Sequence, residues 1–104
     1  RILVFAASQD KDVAAILGPL LADFDVVILT RFLNNPRASD PARLRRTAAQ
    51  LLAGGSASSC QLLTSENSAA AWELASTTAA AEDLICVAGS FFLASELRSL
   101  IQRQ

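Results

Sequence analysis

Apolar runs of strand length alternate along this chain with apolar stripes of helical period, and that alternation limits the fold more than any other feature. Residues 2–7 (Ile-Leu-Val-Phe-Ala-Ala) are continuously apolar. A strand covered on both faces reads this way, as in a parallel sheet. Asp25-Val26-Val27-Ile28-Leu29, Cys60-Gln61-Leu62-Leu63 and Leu84-Ile85-Cys86-Val87-Ala88 supply three more runs. Val13, Ile16, Leu17, Leu20, Leu21 and Phe24 recur with helical spacing after the first run. Leu44, Ala48, Leu51 and Leu52 do so after the second, Trp72, Ala75 and Ala79 after the third, and Leu93, Leu97, Leu100 and Ile101 after the fourth. Strand and helix repeated in this order predict an α/β domain of three layers. Its parallel sheet carries helices on both faces, joined by right-handed crossovers.

Local signals punctuate the pattern. Asp10 or Asp12 caps the first helix, and Gly18-Pro19 inside it predicts a kink or early fraying. Asp40-Pro41 starts the second helix as N-cap and first helical residue, and Gly54-Gly55 ends it. Arg43, Arg45 and Arg46 read as its solvated face. Ser65 is the expected N-cap of the third helix, with Glu66 in its first turn. Trp72 reads as a core anchor rather than a ligand platform.

The chain has 104 residues, enough for one domain, and its 52% hydrophobic and 18% charged content is globular. A net charge of −1 offers no basic field to nucleic acid or acidic membranes. No apolar run approaches the ~20 residues of a membrane helix, and no leader pattern is visible. Cys60 and Cys86 fit neither a CxxC pair nor a zinc site and read as reduced core thiols of a cytoplasmic protein. The chain has no Met, which suggests a domain cut from a longer protein, and no His. Lacking the commonest general base and metal ligand, this piece is expected to hold no catalytic residue and no metal.

Function is expected beyond the carboxyl ends of the strands, where open α/β sheets bind ligands. The loops leaving that edge are Ser8–Asp12, Thr30–Ser39, Thr64-Ser65 and Gly89-Ser90. The second is longer than a strand-to-helix connection requires and holds Arg31 and Arg37 around Asn34-Asn35-Pro36. Long loops on a rigid scaffold commonly carry binding residues. Arg presents a planar fork that clamps a carboxylate, although either arginine could instead hold the loop through a nearby aspartate. Lys11, the one lysine, faces an anion or pairs with Asp10 or Asp12. Ser90 caps the last helix or helps hold an anion at its start. There is no GxGxxG and no GxxxxGK[ST], so no phosphate cradle of the usual kinds is present.

Three fragments resemble one family: Ser8-Gln9-Asp10-Lys11-Asp12; Leu29-Thr30-Arg31 through Asn35-Pro36-Arg37-Ala38; and Val87-Ala88-Gly89-Ser90-Phe91-Phe92-Leu93-Ala94-Ser95-Glu96-Leu97. In order and spacing they resemble the C-terminal domain of folylpolyglutamate synthase/dihydrofolate synthase, in the Mur ligase superfamily. The resemblance implies a Rossmann-like, doubly wound, mostly parallel sheet over residues 1–104. It also implies a whole enzyme that uses ATP and Mg²⁺ to activate a folate or dihydropteroate carboxylate, which the amino group of L-glutamate then attacks. A central ATPase domain of the same protein would hold the P-loop and most metal ligands, while this domain helps bind glutamate and closes over ATP.

By the same resemblance, Arg37, Ser90, Phe92 and Arg31 fall on the substrate side, and Lys11 and Asp10 on the nucleotide side. Phe92 stands where many relatives carry Tyr or His, which removes a polar contact there. Asn34-Asn35-Pro36-Arg37 matches the Asp-Asn-Pro-Arg motif of amino-acid-adding Mur ligases in part. The family's opening Asp-Gly-Ala-His-Asn-Pro strand and its helix have no counterpart, so the domain is expected to lack them. The alternatives are a peptidoglycan Mur ligase and a non-enzymatic α/β binding domain. A receiver-like regulator would want a phosphorylatable Asp where this chain has Leu29-Thr30-Arg31.

Overall fold

The computed structural model describes residues 1–33, 36–54, 60–89, 93–94 and 96–98. Its elements are β1 (Ile2–Phe5), α1 (Val13–Leu21), β2 (Val26–Leu29), α2 (Pro41–Gly54), β3 (Gln61–Thr64), α3 (Ser68–Thr78) and β4 (Ile85–Ala88). Residues 93–94 and 96–98 are helical again. All strand pairs are parallel, and the order across the sheet is β3-β2-β1-β4. The chain winds outward from β1 through β2 to β3, then crosses back to place β4 on the other side of β1. Reversing direction with right-handed crossovers must switch faces. Accordingly, Leu17 and Leu21 of α1 and Leu44 and Ala48 of α2 share one core with Leu3, Phe5, Val27 and Leu29. Ala71 and Ala75 of α3, with Leu93 and Leu97, share the other core with Ile2, Val4 and Ile28. This is the expected three-layer, doubly wound arrangement, and successive strand residues divide between its two cores as the pleat requires.

The local details sharpen or correct the sequence reading. β1 pairs only as far as Phe5. Ala6 and Ala7 stay buried, but the Ala7 carbonyl accepts the Ser39 N–H at 2.9 Å, so the chain has already turned to a loop partner. Asp12 caps α1, its Oδ1 accepting the Ala15 N–H at 3.2 Å. Pro19 lies within α1, which ends two residues later at Leu21, as early termination after Gly18-Pro19 predicts. Asp40 caps α2 by accepting the Ala42 N–H at 2.9 Å, with Pro41 as first helical residue.

The third helix departs from expectation: Asn67, not Ser65, is its N-cap, accepting the Ala70 N–H at 2.9 Å. The Ser65 N–H is still engaged with the Leu29 carbonyl at 3.0 Å, and its hydroxyl donates to the Asn67 carbonyl at 3.1 Å. Ser65 therefore finishes the strand and shapes the turn, and Glu66 precedes the helix rather than sitting in its first turn. Trp72 packs half-buried against the α3-side core, while Ala71 and Ala75 fill that helix's buried stripe.

Cys60 and Cys86 are free but half-buried rather than fully internal. They belong to opposite edges of the sheet, roughly 14 Å apart at three strand spacings, whereas a disulfide needs Cα atoms within about 7 Å. Burial, with a smaller contribution from Asp25, raises the Cys60 thiol above its ordinary 9.0, so it is not poised as a nucleophile. Among the described residues no helix is long and apolar enough to cross a membrane.

Candidate functional site

Three of the loops at the carboxyl edge are tied through the second, 30–40. Its anchor is Phe32, which the sequence reading passed over as one residue of a polar loop. The ring is only 1% exposed and belongs to the α3-side core. Burying it, worth about 1.5–3 kcal/mol, holds the loop to the sheet. Thr30 leaves β2 with its N–H on the Phe5 carbonyl at 2.9 Å. Its hydroxyl is fully buried and has no hydrogen-bond partner among the described residues.

Beyond Phe32 the loop is zipped to the β1–α1 connection. Ser8 and Ala38 form an antiparallel bridge, and the Gln9 N–H donates to the Arg37 carbonyl at 2.7 Å. The Gln9 side-chain amide reaches the Ala38 carbonyl at 3.4 Å. This pairing brings Arg37, Lys11 and Asp10 into one electrostatic cluster. The Asp10 carboxyl is held below its ordinary 3.8, first by the Ser8 side chain, then by its own backbone, Lys11 and Arg37. Asp10 therefore stays ionised near neutral pH and offsets part of the charge of both cations.

Arg31 is held in the other direction. Its Nε–H donates to the Glu66 carbonyl at 2.9 Å, on the β3–α3 connection. It lines a cleft of about 340 Å³ with Asp40, Pro41, Ala42, Thr64, Ser65 and Glu66. The two arginines thus serve opposite ends of one loop, and only Arg37 joins Lys11 and Asp10. A second hollow, about 250 Å³, lies between the starts of α1 and α2, and Lys11, Gln9, Asp12, Ser39, Arg43 and Thr47 are among its lining residues. Arg43, read from sequence as part of a solvated face, is exposed but borders this hollow beside Lys11. Helical spacing could not reveal that, because it assigns a face and not what a neighbouring loop brings to it.

Ser90 and Phe92 lie outside the described residues, as do Asn34 and Asn35. Gly89, just before them, has φ +98°. A Cβ there would collide with the Ala6 carbonyl oxygen and lie 2.7 Å from Phe5 Cε2. The exit of β4 must therefore be glycine for the chain to pass this close to β1. Between β1 and β4 lies the point where the strand order reverses, the expected ligand crevice of a doubly wound sheet. Among the described residues no group of three or more His, Cys, Asp or Glu side chains converges as metal ligands would.

Fold and loop chemistry together define a doubly wound α/β domain with cations gathered at its carboxyl edge. A family model described as "Mur ligase, glutamate ligase domain" matches residues 1–91, and the chain belongs to that family. Among solved structures, it matches folylpolyglutamate synthase of Mycobacterium tuberculosis complexed with ADP and AMPPCP, at 30% identity and a TM-score of 0.80. The match covers 99% of this chain and 24% of that one. The same enzyme complexed with ADP matches at 29% identity, TM-score 0.80, over 99% of this chain and 24% of that one. A bifunctional folylpolyglutamate synthase/dihydrofolate synthase from Yersinia pestis, complexed with AMPPNP and Mn ion, shares the fold at 19% identity and a TM-score of 0.78, over 98% of this chain and 22% of its own. No curated protein matches the chain. The resemblance to the C-terminal domain of folylpolyglutamate synthase read in the sequence is borne out. The chain spans about a quarter of those enzymes.

Proposed function

We propose that this domain serves an ATP-dependent ligase that joins L-glutamate to the carboxylate of folate or dihydropteroate. The observation that carries the reading is the zipped pair of loops that sets Arg37 beside Lys11 and Asp10 at the carboxyl edge. The family match and the likeness to a folylpolyglutamate synthase holding adenine nucleotides support the choice of reaction.

The residues fit an anionic reaction partner. Arg37 and Lys11 supply positive charge where a glutamate carboxylate or a nucleotide phosphate would approach, and Arg31 offers a second guanidinium across the loop. Ser90 and Phe92 complete the proposed glutamate side. Asp10, ionised and next to Lys11, suits the hydroxyl-bearing part of a nucleotide rather than its phosphates, which it would repel. ATP, when bound, supplies the phosphoryl group that activates the folate carboxylate. This domain's part is to hold the glutamate carboxylates, neutralise charge and exclude water as it closes against the central ATPase domain. Mg²⁺ is assigned to that central domain, as the family resemblance implies. The parent protein is placed in the cytoplasm, where ATP and folates are available.

The test is ADP release by the full-length parent with ATP, Mg²⁺, a folate or dihydropteroate, and L-glutamate. Release that depends on both glutamate and the pterin is expected. Release indifferent to glutamate, or none, would overturn the reading.

A further inference from the structure

Glu96, a residue of the last sequence fragment with no role so far, joins three segments of the carboxyl edge. Its Oε2 accepts the Leu33 N–H at 2.7 Å, and its Oε1 accepts the Ser68 hydroxyl at 2.8 Å. Leu33 is the point where the second loop leaves its buried anchor: Phe32 is 1% exposed and Leu33 65%. Ser68, 4% exposed, is the first residue of α3. Glu96 itself follows Ser90 by six positions in the chain. One carboxylate of the last helix therefore fastens the arginine-bearing loop to the start of α3.

The chemistry makes this more than incidental packing. The Leu33 N–H···O distance of 2.7 Å is at the short end for such bonds, and the Ser68 O–H···O distance of 2.8 Å is of ordinary good length. Each oxygen takes a different partner, so the side chain sets the spacing between them. The Leu33 N–H has no strand ladder to join, because β2 ends at Leu29. The loop is otherwise fastened toward β1 by Gln9 and Ser39, and toward β3–α3 by Arg31. Glu96 supplies the bond from the last helix.

We infer that Glu96 is a positioning residue: by clamping Leu33 and Ser68 it sets the arginine-bearing loop against the start of α3, and so holds that loop's arginines in place for glutamate. The inference rests on the ligase reading above for its substrate, though not for the clamp. Gln at this position rebuilds the bridge, its amide oxygen accepting the Leu33 N–H and its NH₂ donating to the Ser68 hydroxyl. Ala cannot, and Asp is one methylene too short to reach both partners.

The experiment compares Glu96→Ala, Glu96→Gln and Glu96→Asp in the full-length parent by hydrogen exchange and steady-state kinetics. Ala is expected to speed exchange in the 30–40 segment by about tenfold or more, equivalent to ~1.4 kcal/mol, and to leave β2 unchanged. It should raise the glutamate KM by a similar factor with kcat little altered, while Gln stays close to the parent in both. If Ala prevents folding, Asp takes its place with the same direction of change. Unchanged exchange in both Ala and Asp variants would overturn the clamp. Faster exchange with an unmoved KM, or a Gln variant as impaired as Ala, would overturn the positioning role. A parent without glutamate-dependent ADP release would defeat the ligase reading and with it the glutamate-site role, while the exchange arm still decides the clamp.

Discussion

Replacing Gly89 by alanine separates the two things a glycine can do for this fold. At φ +98° an L-residue is strained, which costs about 1–3 kcal/mol. The added Cβ would also overlap the Ala6 carbonyl oxygen and sit 2.7 and 2.9 Å from the Phe5 ring. Neither neighbour can yield readily, since Ala6 and Phe5 are both fully buried. Overpacking of this kind costs about 1–3 kcal/mol, so the sum is about 2–6 kcal/mol. Gly18 provides the contrast: it lies inside α1, and apart from its chain neighbours and its own helix backbone the nearest contact of an added Cβ is Leu51 Cδ2 at an ordinary 3.9 Å. Alanine there should change stability by less than ~1 kcal/mol, because helix propensity favours it while Pro19 disfavours a Cβ on the helical residue before it. Urea unfolding followed by circular dichroism measures both. With a slope of ~2 kcal/mol per molar, Gly89→Ala should lower the midpoint by ~1–3 M and Gly18→Ala should move it by less than ~0.5 M. A midpoint for Gly89→Ala within ~0.3 M of the parent, or a larger drop for Gly18→Ala than for Gly89→Ala, would refute the reasoning.

Four more outcomes are expected. Arg37→Gln in the full-length parent should raise the glutamate KM, by about 10- to 150-fold if a charged contact worth ~1.5–3 kcal/mol is lost; an unchanged KM removes Arg37 from the site. Asn67→Ala should cost ~1 kcal/mol of stability and Ser65→Ala less, because the cap is at Asn67; denaturation midpoints in the reverse order would contradict the assignment. Thr30→Val keeps the side chain's shape and removes a buried hydroxyl without a partner among the described residues, so stability should hold or rise by ~1 kcal/mol; a clear loss would show that the hydroxyl is satisfied.

The Asp10 carboxyl should titrate below 3.8 by NMR, held there first by the Ser8 side chain and with help from Lys11 and Arg37. Since its folded value lies below the unfolded one, its stabilising effect is present above pH 3.8 and fades as pH falls through the folded value. Arg37→Gln should move the midpoint upward, and a value at or above 3.8 in the parent would contradict the cluster.

How much of this was legible in the chain depends on the range of the interaction concerned. Continuous apolar runs and helical stripes are local patterns, and they located all four strands and the first three helices. Asp40-Pro41 is likewise local: a cap and the helix it serves are adjacent, so the start of α2 could be read directly. Asn67 was missed for a non-local reason. Whether Ser65 is free to cap depends on whether β2 still holds its N–H, and Leu29 is remote in sequence. Lys11, Arg31 and Arg37 were legible as cations in edge loops, but their grouping was not. Gln9 meets Ala38 across 29 positions, and that contact carries Lys11 toward Arg37 and leaves Arg31 to Glu66.

The sequence alone determined the layer architecture, the parallel sense of the sheet, its ligand-binding edge and the family resemblance. Each follows from residue types at short, regular spacing. The tertiary structure decided the strand order, the burial of Phe32 inside a polar loop, the approach of Arg43 to Lys11, and the Glu96 clamp on Leu33 across 63 positions. A loop has no internal period to read. Its conformation is set by whichever distant backbone and side-chain groups the fold brings alongside it.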